Sequence, residues 1–234
     1  MKKLLLTFLI ILFSLTSNVV WSADYNKGLT AYYSGDYATA LREWKPLGEQ
    51  GHASAQNNLG VMYRKGDGVP QDYKTAVKWY TLAAEQDDAS AQYNLALMYY
   101  KGDGVPQDYK TAVKWYTLAA EQDGANAQNN LGVMYENGYG VPQDDKTAVK
   151  WYTLAAEQGV ASAQYSLGVM YYNGKGILRD YVYAHMWANI SASNGNEYAI
   201  QFRDFLANEI MTSADISEAQ KLARECVAKN YKGC

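Results

Sequence analysis

Cysteine and histidine are almost absent from these 234 residues, and no stretch carries a long run of one charge. Each shortage excludes a class of chemistry. The two cysteines, Cys226 and Cys234, stand at the extreme C-terminus, and no CxxC pair exists; that spacing argues against thiol redox catalysis or a cysteine-built metal site. The two histidines, His52 and His185, are far apart and no HExxH string accompanies them, so no metal ligand set is expected. His185 takes the position that Val149 holds 36 residues earlier and reads as a satisfied core or rim histidine, while His52 reads as an exposed turn residue. Serine-nucleophile signals are missing too: there is no GxSxG elbow and no serine followed by lysine at the third position. The strings Thr75 to Lys78, Thr111 to Lys114 and Thr147 to Lys150 read as repeated mid-helix surface residues. No catalytic residue and no cofactor are expected.

Apolar runs are equally scarce. The one that exists opens the chain, MKKLLLTFLIILFSLTSNVVWSA, with Lys2 and Lys3 before the run Leu4 to Leu15 and small residues at Ser22 and Ala23. This reads as a secretory signal peptide over residues 1–23, cleaved after Ser22 or after Ala23. Nothing later approaches the ~20 apolar residues of a spanning helix, so no integral membrane segment is expected once the leader is removed. Taking Lys2 and Lys3 from the 21 basic residues leaves 19 against 24 acidic ones, a net charge of −5. That balance argues against nucleic acid or anionic lipid as the main partner. An exported chain, periplasmic or secreted and surface-exposed, meets oxidising conditions, in which Cys226 and Cys234 are expected to form a disulfide that turns the last residues back onto a terminal helix.

What the sequence has in abundance is itself. KGDGVPQDYKTAVKWYTLAAEQD at 65–87 returns unchanged at 101–123, and the starts AQNNLGVMY (55–63), AQYNLALMY (91–99), AQNNLGVMY (127–135) and AQYSLGVMY (163–171) recur every 36 residues. Trp79, Trp115, Trp151 and Trp187 keep the same step. Ala91, Leu95, Met98 and Tyr99 fall at helical spacing, as do Ala76, Val77, Tyr80, Ala83 and Ala84 in the second half of a unit, so each unit is read as two helices. Gly66 is placed to end the first in a left-handed turn, Gly68 and Pro70 to prevent its continuation, and Asp72 to cap the second. Gly60, Gly132 and Gly168 are expected to let paired helices close up opposite the alanine pairs. The GDGVPQD loops lack the alternating carboxylates of a calcium loop and the Lys-Ser/Thr of a phosphate loop; a turn explains them. Asn189-Ile190-Ser191 is formally a glycosylation sequon, but it falls on a helix.

The string A-Q-x-x-L-G-x-x-Y, then G-x-G-V-P-x-D, then A-V-x-W-Y-x-x-A-A-E-Q resembles the Sel-one-like repeat family of the tetratricopeptide superfamily. The resemblance covers about residues 53–198 and implies an all-α fold: an α/α solenoid, a right-handed superhelix of stacked helical hairpins. Residues 24–52 look more like an ordinary tetratricopeptide unit, with Pro46 expected to kink or end its second helix. Residues 199–234 read as C-terminal capping helices carrying the cysteine pair. The fourth unit departs from the family loop, with Ile177 and Leu178 where Val-Pro stands elsewhere.

In that family's geometry the first helix of each unit lines the concave face. Carried onto this chain, the partner-binding positions are Asn57, Val61 and Arg64; Tyr93, Leu97 and Tyr100; Asn129, Val133 and Glu136; and Tyr165, Val169 and Tyr172. Tyrosine supplies contact area at low entropy cost and asparagine both donates and accepts, so this groove suits an extended peptide or protein segment. The same tyrosines could instead shield seams between repeats, as Tyr63, Tyr99, Tyr135 and Tyr171 are expected to do. The leading expectation is a non-enzymatic adaptor or scaffold. The alternatives are a binder of cell-wall glycan or peptidoglycan through the tyrosines, and a β-lactamase-like envelope hydrolase, an activity that resemblance to cysteine-rich members of the family would imply but that lacks a serine signature here.

Overall fold

Five aspartates begin alternate helices. The computed structural model describes residues 23–234, so the leader reading lies, apart from Ala23, outside the described residues. Within them Asp36, Asp72, Asp108, Asp144 and Asp180 cap α2 (Tyr37–Glu49), α4 (Tyr73–Ala84), α6 (Tyr109–Glu121), α8 (Asp145–Ala156) and α10 (Tyr181–Ser193). Each carboxylate accepts from backbone N–H groups that have no partner within the helix, as Asp72 does from Lys74 at 3.0 Å and Thr75 at 3.1 Å. A threonine hydroxyl adds a 2.6 Å bond to Asp72, Asp108 and Asp144. That bond is the main cause holding these carboxyls below their ordinary pKa.

The helices preceding these are α1 (Tyr25–Tyr33), α3 (Ala53–Lys65), α5 (Ala89–Lys101), α7 (Ala125–Asn137) and α9 (Ala161–Asn173). The last four stop at Gly66, Gly102, Gly138 and Gly174, all left-handed, with φ of 82°, 80°, 70° and 66°, a backbone that glycine adopts without strain. The second loop glycine does more than break the helix. A Cβ on Gly104 would sit 2.5 Å from the Tyr73 carbonyl, and Gly140 meets Tyr109 in the same way, so each loop seats on the start of the preceding unit's second helix. In the fourth unit Asp180 still caps α10, Ile177 packs on the core and Leu178 is 87% exposed. Pro46 neither ends α2 nor shortens it: the helix runs on to Glu49. Pro46 lies in the last turn, where few bonds remain to be lost.

Each hairpin packs on the next in sequence order from α1 to α10. The seams bury Leu59, Leu95, Leu131 and Leu167 with Met62, Met98, Met134 and Met170, each worth roughly 1.5–3 kcal/mol. Gly60 and Gly132 let the paired helices close up, with a tyrosine ring as the nearest neighbour. A Cβ on either would lie 2.5 Å from the ring of Tyr80 or Tyr152, so glycine there makes room for a buried phenol; Gly168 alone faces Ala184 and Trp187, because Ala188 replaces the tyrosine. Tyr63, Tyr99, Tyr135 and Tyr171 do pack half-buried against the core clusters.

One polar residue per unit is buried at the seam. Gln56, Gln92, Gln128 and Gln164 donate to the carbonyls of Gly48, Ala84, Ala120 and Ala156 in the preceding unit, at 2.9–3.3 Å. Their own carbonyl oxygens accept from Gln86, Gln122, Gln158 and Asn194.

The stack closes with α11 (Glu197–Phe205), a π-helical turn (Leu206–Ile210) and α12 (Ser213–Ala228). Thr212 and Asp215 form a reciprocal capping box at the start of α12. Cys226 and Cys234 are disulfide-bonded, their Cα atoms 5.5 Å apart. The turn that they close reaches back to the repeats: Gly233 N–H donates to Glu157 at 2.9 Å and Tyr231 Oη to Asn194 at 3.3 Å. His185 is buried as expected, but its Nδ1 has no hydrogen-bond partner. His52 is more than a turn residue: its Nδ1 accepts from Ala55 N–H at 3.2 Å, capping α3, and its ring stacks on Tyr25.

Two stability measurements follow. Gln92→Glu keeps the shape of the side chain but exchanges the amide that donates to the Ala84 carbonyl for a carboxyl group buried in the seam, while Ala84 keeps its bond from Asp87 N–H; a loss of about 2–3 kcal/mol is expected, read from the urea midpoint. A change below about 0.5 kcal/mol would mean that the amide does not tie the repeats. Burial, with Arg203 nearby opposing protonation and Asp204 favouring it, lowers the His185 pKa from 6.5. The unfolded chain then binds the extra proton first, so this contribution is complete above pH 6.5 and is lost as pH falls from 6.5 through the folded pKa. Thermal melts from pH 8 to pH 5 should show that slope in the wild type and not in His185→Val.

Candidate functional site

Two pairs of odd-numbered helices touch, α3 on α5 and α7 on α9. Side chains join them: Asn94 donates to Asn57 at 3.0 Å, Ser162 to Asn129 at 3.3 Å, and Asn58 to Tyr25 at 3.2 Å. These bonds join α1 to α3, α3 to α5 and α7 to α9 along the side of the stack that the odd-numbered helices form. All the expected groove positions lie on it half-buried, but they do not share one environment.

In the first and third units the polar positions are already engaged. Arg64 Nε donates to Tyr80 Oη at 3.3 Å, and Glu136 accepts from Tyr152 Oη at 2.7 Å. Asn57 and Asn129 serve the neighbouring helices as just described. In the fourth unit the tyrosines are covered by the chain itself: Tyr165 packs edge-on to Phe202, and Tyr172 meets Tyr181, Phe202 and Phe205. Helix α11 occupies that end of the face.

The second unit differs. Tyr93, Leu97 and Tyr100 line a cavity of about 450 Å³ with Lys101, Tyr116, Asn130 and Val133. A neighbouring cavity of about 340 Å³ lies on the other side of Tyr93, between the N-terminal turns of α5 and α7. Tyr93 thus divides a trough running between the two helices. Its ring rests on Tyr116, and Tyr100 rests on Tyr109 and Tyr139, which stack on each other at 5.0 Å. Tyr116 is 1% exposed and its hydroxyl has no partner of normal hydrogen-bond geometry; the Asn130 carboxamide beside it offsets part of the effect of burial on the phenol. Burial pushes the Tyr116 phenol far above its ordinary pKa, so it remains a donor at physiological pH.

Four consecutive segments, 53–88, 89–124, 125–160 and 161–196, match the Sel1 repeat family model. The chain belongs to the Sel1 repeat family. A Sel1 repeat protein from Oxalobacter formigenes superposes with a TM-score of 0.75 at 35% identity, over 88% of this chain and 85% of that one. A protective antigen of uropathogenic Escherichia coli with an SLR fold superposes equally well, TM-score 0.75 at 36% identity, over 88% of this chain; the match spans 45% of the antigen. A Sel1 repeat protein from Klebsiella pneumoniae is similar at 26% identity and TM-score 0.50, over 78% of this chain and 90% of that one. No curated protein matches the chain significantly.

Sel1 repeats are in general non-catalytic scaffolds for protein interaction. Among the described residues no group of three or more His, Cys, Asp or Glu side chains is disposed to hold a metal ion, and no helix is long and apolar enough to cross a membrane. Sequence reasoning placed the groove positions on one face of the Sel1 hairpins but missed their second link. Positions 64, 100 and 136 each stand 16 residues before a buried tyrosine, Tyr80, Tyr116 and Tyr152, and the alternation Arg, Tyr, Glu was a visible sign that these phenols have different partners.

The comparison among copies can be measured. Tyr152→Phe removes a charge-assisted bond and leaves the Glu136 carboxylate without it, with an expected cost of roughly 1.5–3 kcal/mol. Tyr116→Phe removes a hydroxyl with no partner and should be neutral or stabilising. Equal losses in denaturant melts would show that the Tyr116 hydroxyl is satisfied.

Proposed function

We propose that this chain is an exported, non-enzymatic interaction scaffold that seats an extended peptide or protein segment in the trough along its odd-numbered helices, centred between α5 and α7. The observation that carries this reading is the pair of cavities flanking Tyr93, the stretch of that face where the groove tyrosines pack on rings of the stack but are not covered by α11. Solenoids characteristically bind along such extended faces. The leader reading and the Cys226–Cys234 disulfide support export, to the periplasm or beyond. The Escherichia coli relative is a protective antigen, which is compatible with a host-facing location. The glycan alternative needs flat exposed tyrosine faces. Here Tyr100 is tilted on Tyr109 at 49° and Tyr109 is stacked on Tyr139, which favours a peptide.

Crosslinking capture from the native exported fraction, identified by mass spectrometry, tests the assignment. Tyr93→Ala with Tyr100→Ala should reduce capture of the wild-type partner by roughly tenfold or more, the size expected of buried aromatic anchors. Tyr165→Ala with Tyr172→Ala should lower the melting temperature, through lost packing on α11, and leave capture intact. Unchanged capture by the first pair would place the partner elsewhere.

A further inference from the structure

The three equivalent phenols Tyr80, Tyr116 and Tyr152 sit at one structural position, and the chain supplies a partner to two of them. In the third unit the partner is a carboxylate, Glu136 Oε2, 2.7 Å from Tyr152 Oη. In the second unit the corresponding residue is Tyr100, which turns instead onto Tyr109 and Tyr139. The donor that Glu136 satisfies in one copy is therefore left unpaired in the other. Tyr116 is one of the residues that line the 450 Å³ cavity, its hydroxyl fully buried, and the single charged lining residue is the exposed Lys101, with no carboxylate.

A buried phenol without a partner costs free energy that a ligand can recover. We infer that this cavity is a carboxylate pocket, which takes an aspartate or glutamate side chain of the bound segment onto Tyr116 Oη, with Lys101 at its mouth. This rests on the groove reading above and narrows it to an acidic peptide. A guanidinium, as Arg64 supplies to Tyr80, is the other chemistry a phenol accepts, but Lys101 at the rim disfavours a second cation. The walls formed by Tyr93, Leu97, Tyr100 and Val133 are apolar and suit the methylene stem of a glutamate, so the carboxylate would arrive on an otherwise dry side chain. Deep burial keeps Tyr116 protonated, so the pocket offers a donor over the whole physiological pH range.

Three pools of blocked heptapeptides with randomised flanks and a fixed central Glu, Gln or Arg, passed over the immobilised full chain, distinguish the possibilities. The Glu pool should be retained roughly tenfold more than the Gln or Arg pool, the difference of a charge-assisted bond. On Tyr116→Phe the Glu to Gln ratio should fall to about one. Tyr100→Glu should do the same, because it restores in the second unit the pairing seen between Glu136 and Tyr152, and its melting temperature should rise. Equal retention of the Glu and Gln pools by the wild type overturns the carboxylate pocket and leaves the groove reading standing. A preference for Arg, or a preference for Glu that survives Tyr116→Phe, also overturns it. Retention of no pool overturns the pocket, while the capture experiment decides the groove separately.

Discussion

A buried carboxamide at every seam sets the spacing of this solenoid. Gln56, Gln92, Gln128 and Gln164 each donate backward to the last turn of the preceding unit and accept from the end of their own unit. Three helix segments are thereby held at one point. Only a side chain with both a donor and an acceptor can do this in a dry seam without leaving a polar atom unpaired. The leucines and methionines around it supply most of the burial energy, but apolar contact alone has no direction. The amide fixes where along its axis each hairpin meets the next. The ladder also has an end: in the fourth unit Asn194 takes the place of glutamine and accepts from Tyr231, in the turn that the Cys226–Cys234 disulfide closes.

With spacing fixed in this way, positions that do not contribute to a seam, a cap or a turn are free to differ between copies. Arg64, Tyr100 and Glu136 are one such position, and the three outcomes are physically distinct. Arginine and glutamate turn inward to satisfy a phenol; tyrosine turns onto other aromatic rings and leaves the phenol and the space above it open. A repeat scaffold thus produces a local cavity from a few residue differences, Tyr93, Leu97 and Tyr100 among them, because the neighbouring hairpins hold the backbone in place regardless. The fourth unit shows the opposite outcome, where Phe202 and Phe205 of α11 fill the face and end the stack against the chain's own residues.

The architecture was legible in the sequence to an unusual depth, and the reason is local. Helix starts at Asp72, Asp108 and Asp144, helix stops at Gly66, Gly102 and Gly138, and the apolar spacing between them depend on capping, left-handed backbone and helical period, all of which act within a few residues. The errors came from contacts that cross between helices. Gly60 and Gly132 were read as letting paired helices approach, and the rings nearest them, Tyr80 and Tyr152, were not foreseen. Gly68 was read as a breaker and is also the point where the loop meets Tyr37 of the preceding unit. Pro46 was expected to end or kink a helix that in fact continues to Glu49, because so little of the helix lay beyond it.

By itself, then, the sequence determined the hairpin, the 36-residue step, the order of the stack and the cysteine pair, since each follows from interactions among near neighbours repeated along the chain. The tertiary structure alone decided what the odd-helix positions contact. Arg64, Asn57, Asn129 and Glu136 are drawn into bonds within the protein, Tyr165 and Tyr172 disappear under α11, and Tyr93, Leu97 and Tyr100 are left around an unpaired phenol. That choice depends on which side chains from separate helices come within hydrogen-bonding distance, a property of the packed stack that no local pattern encodes.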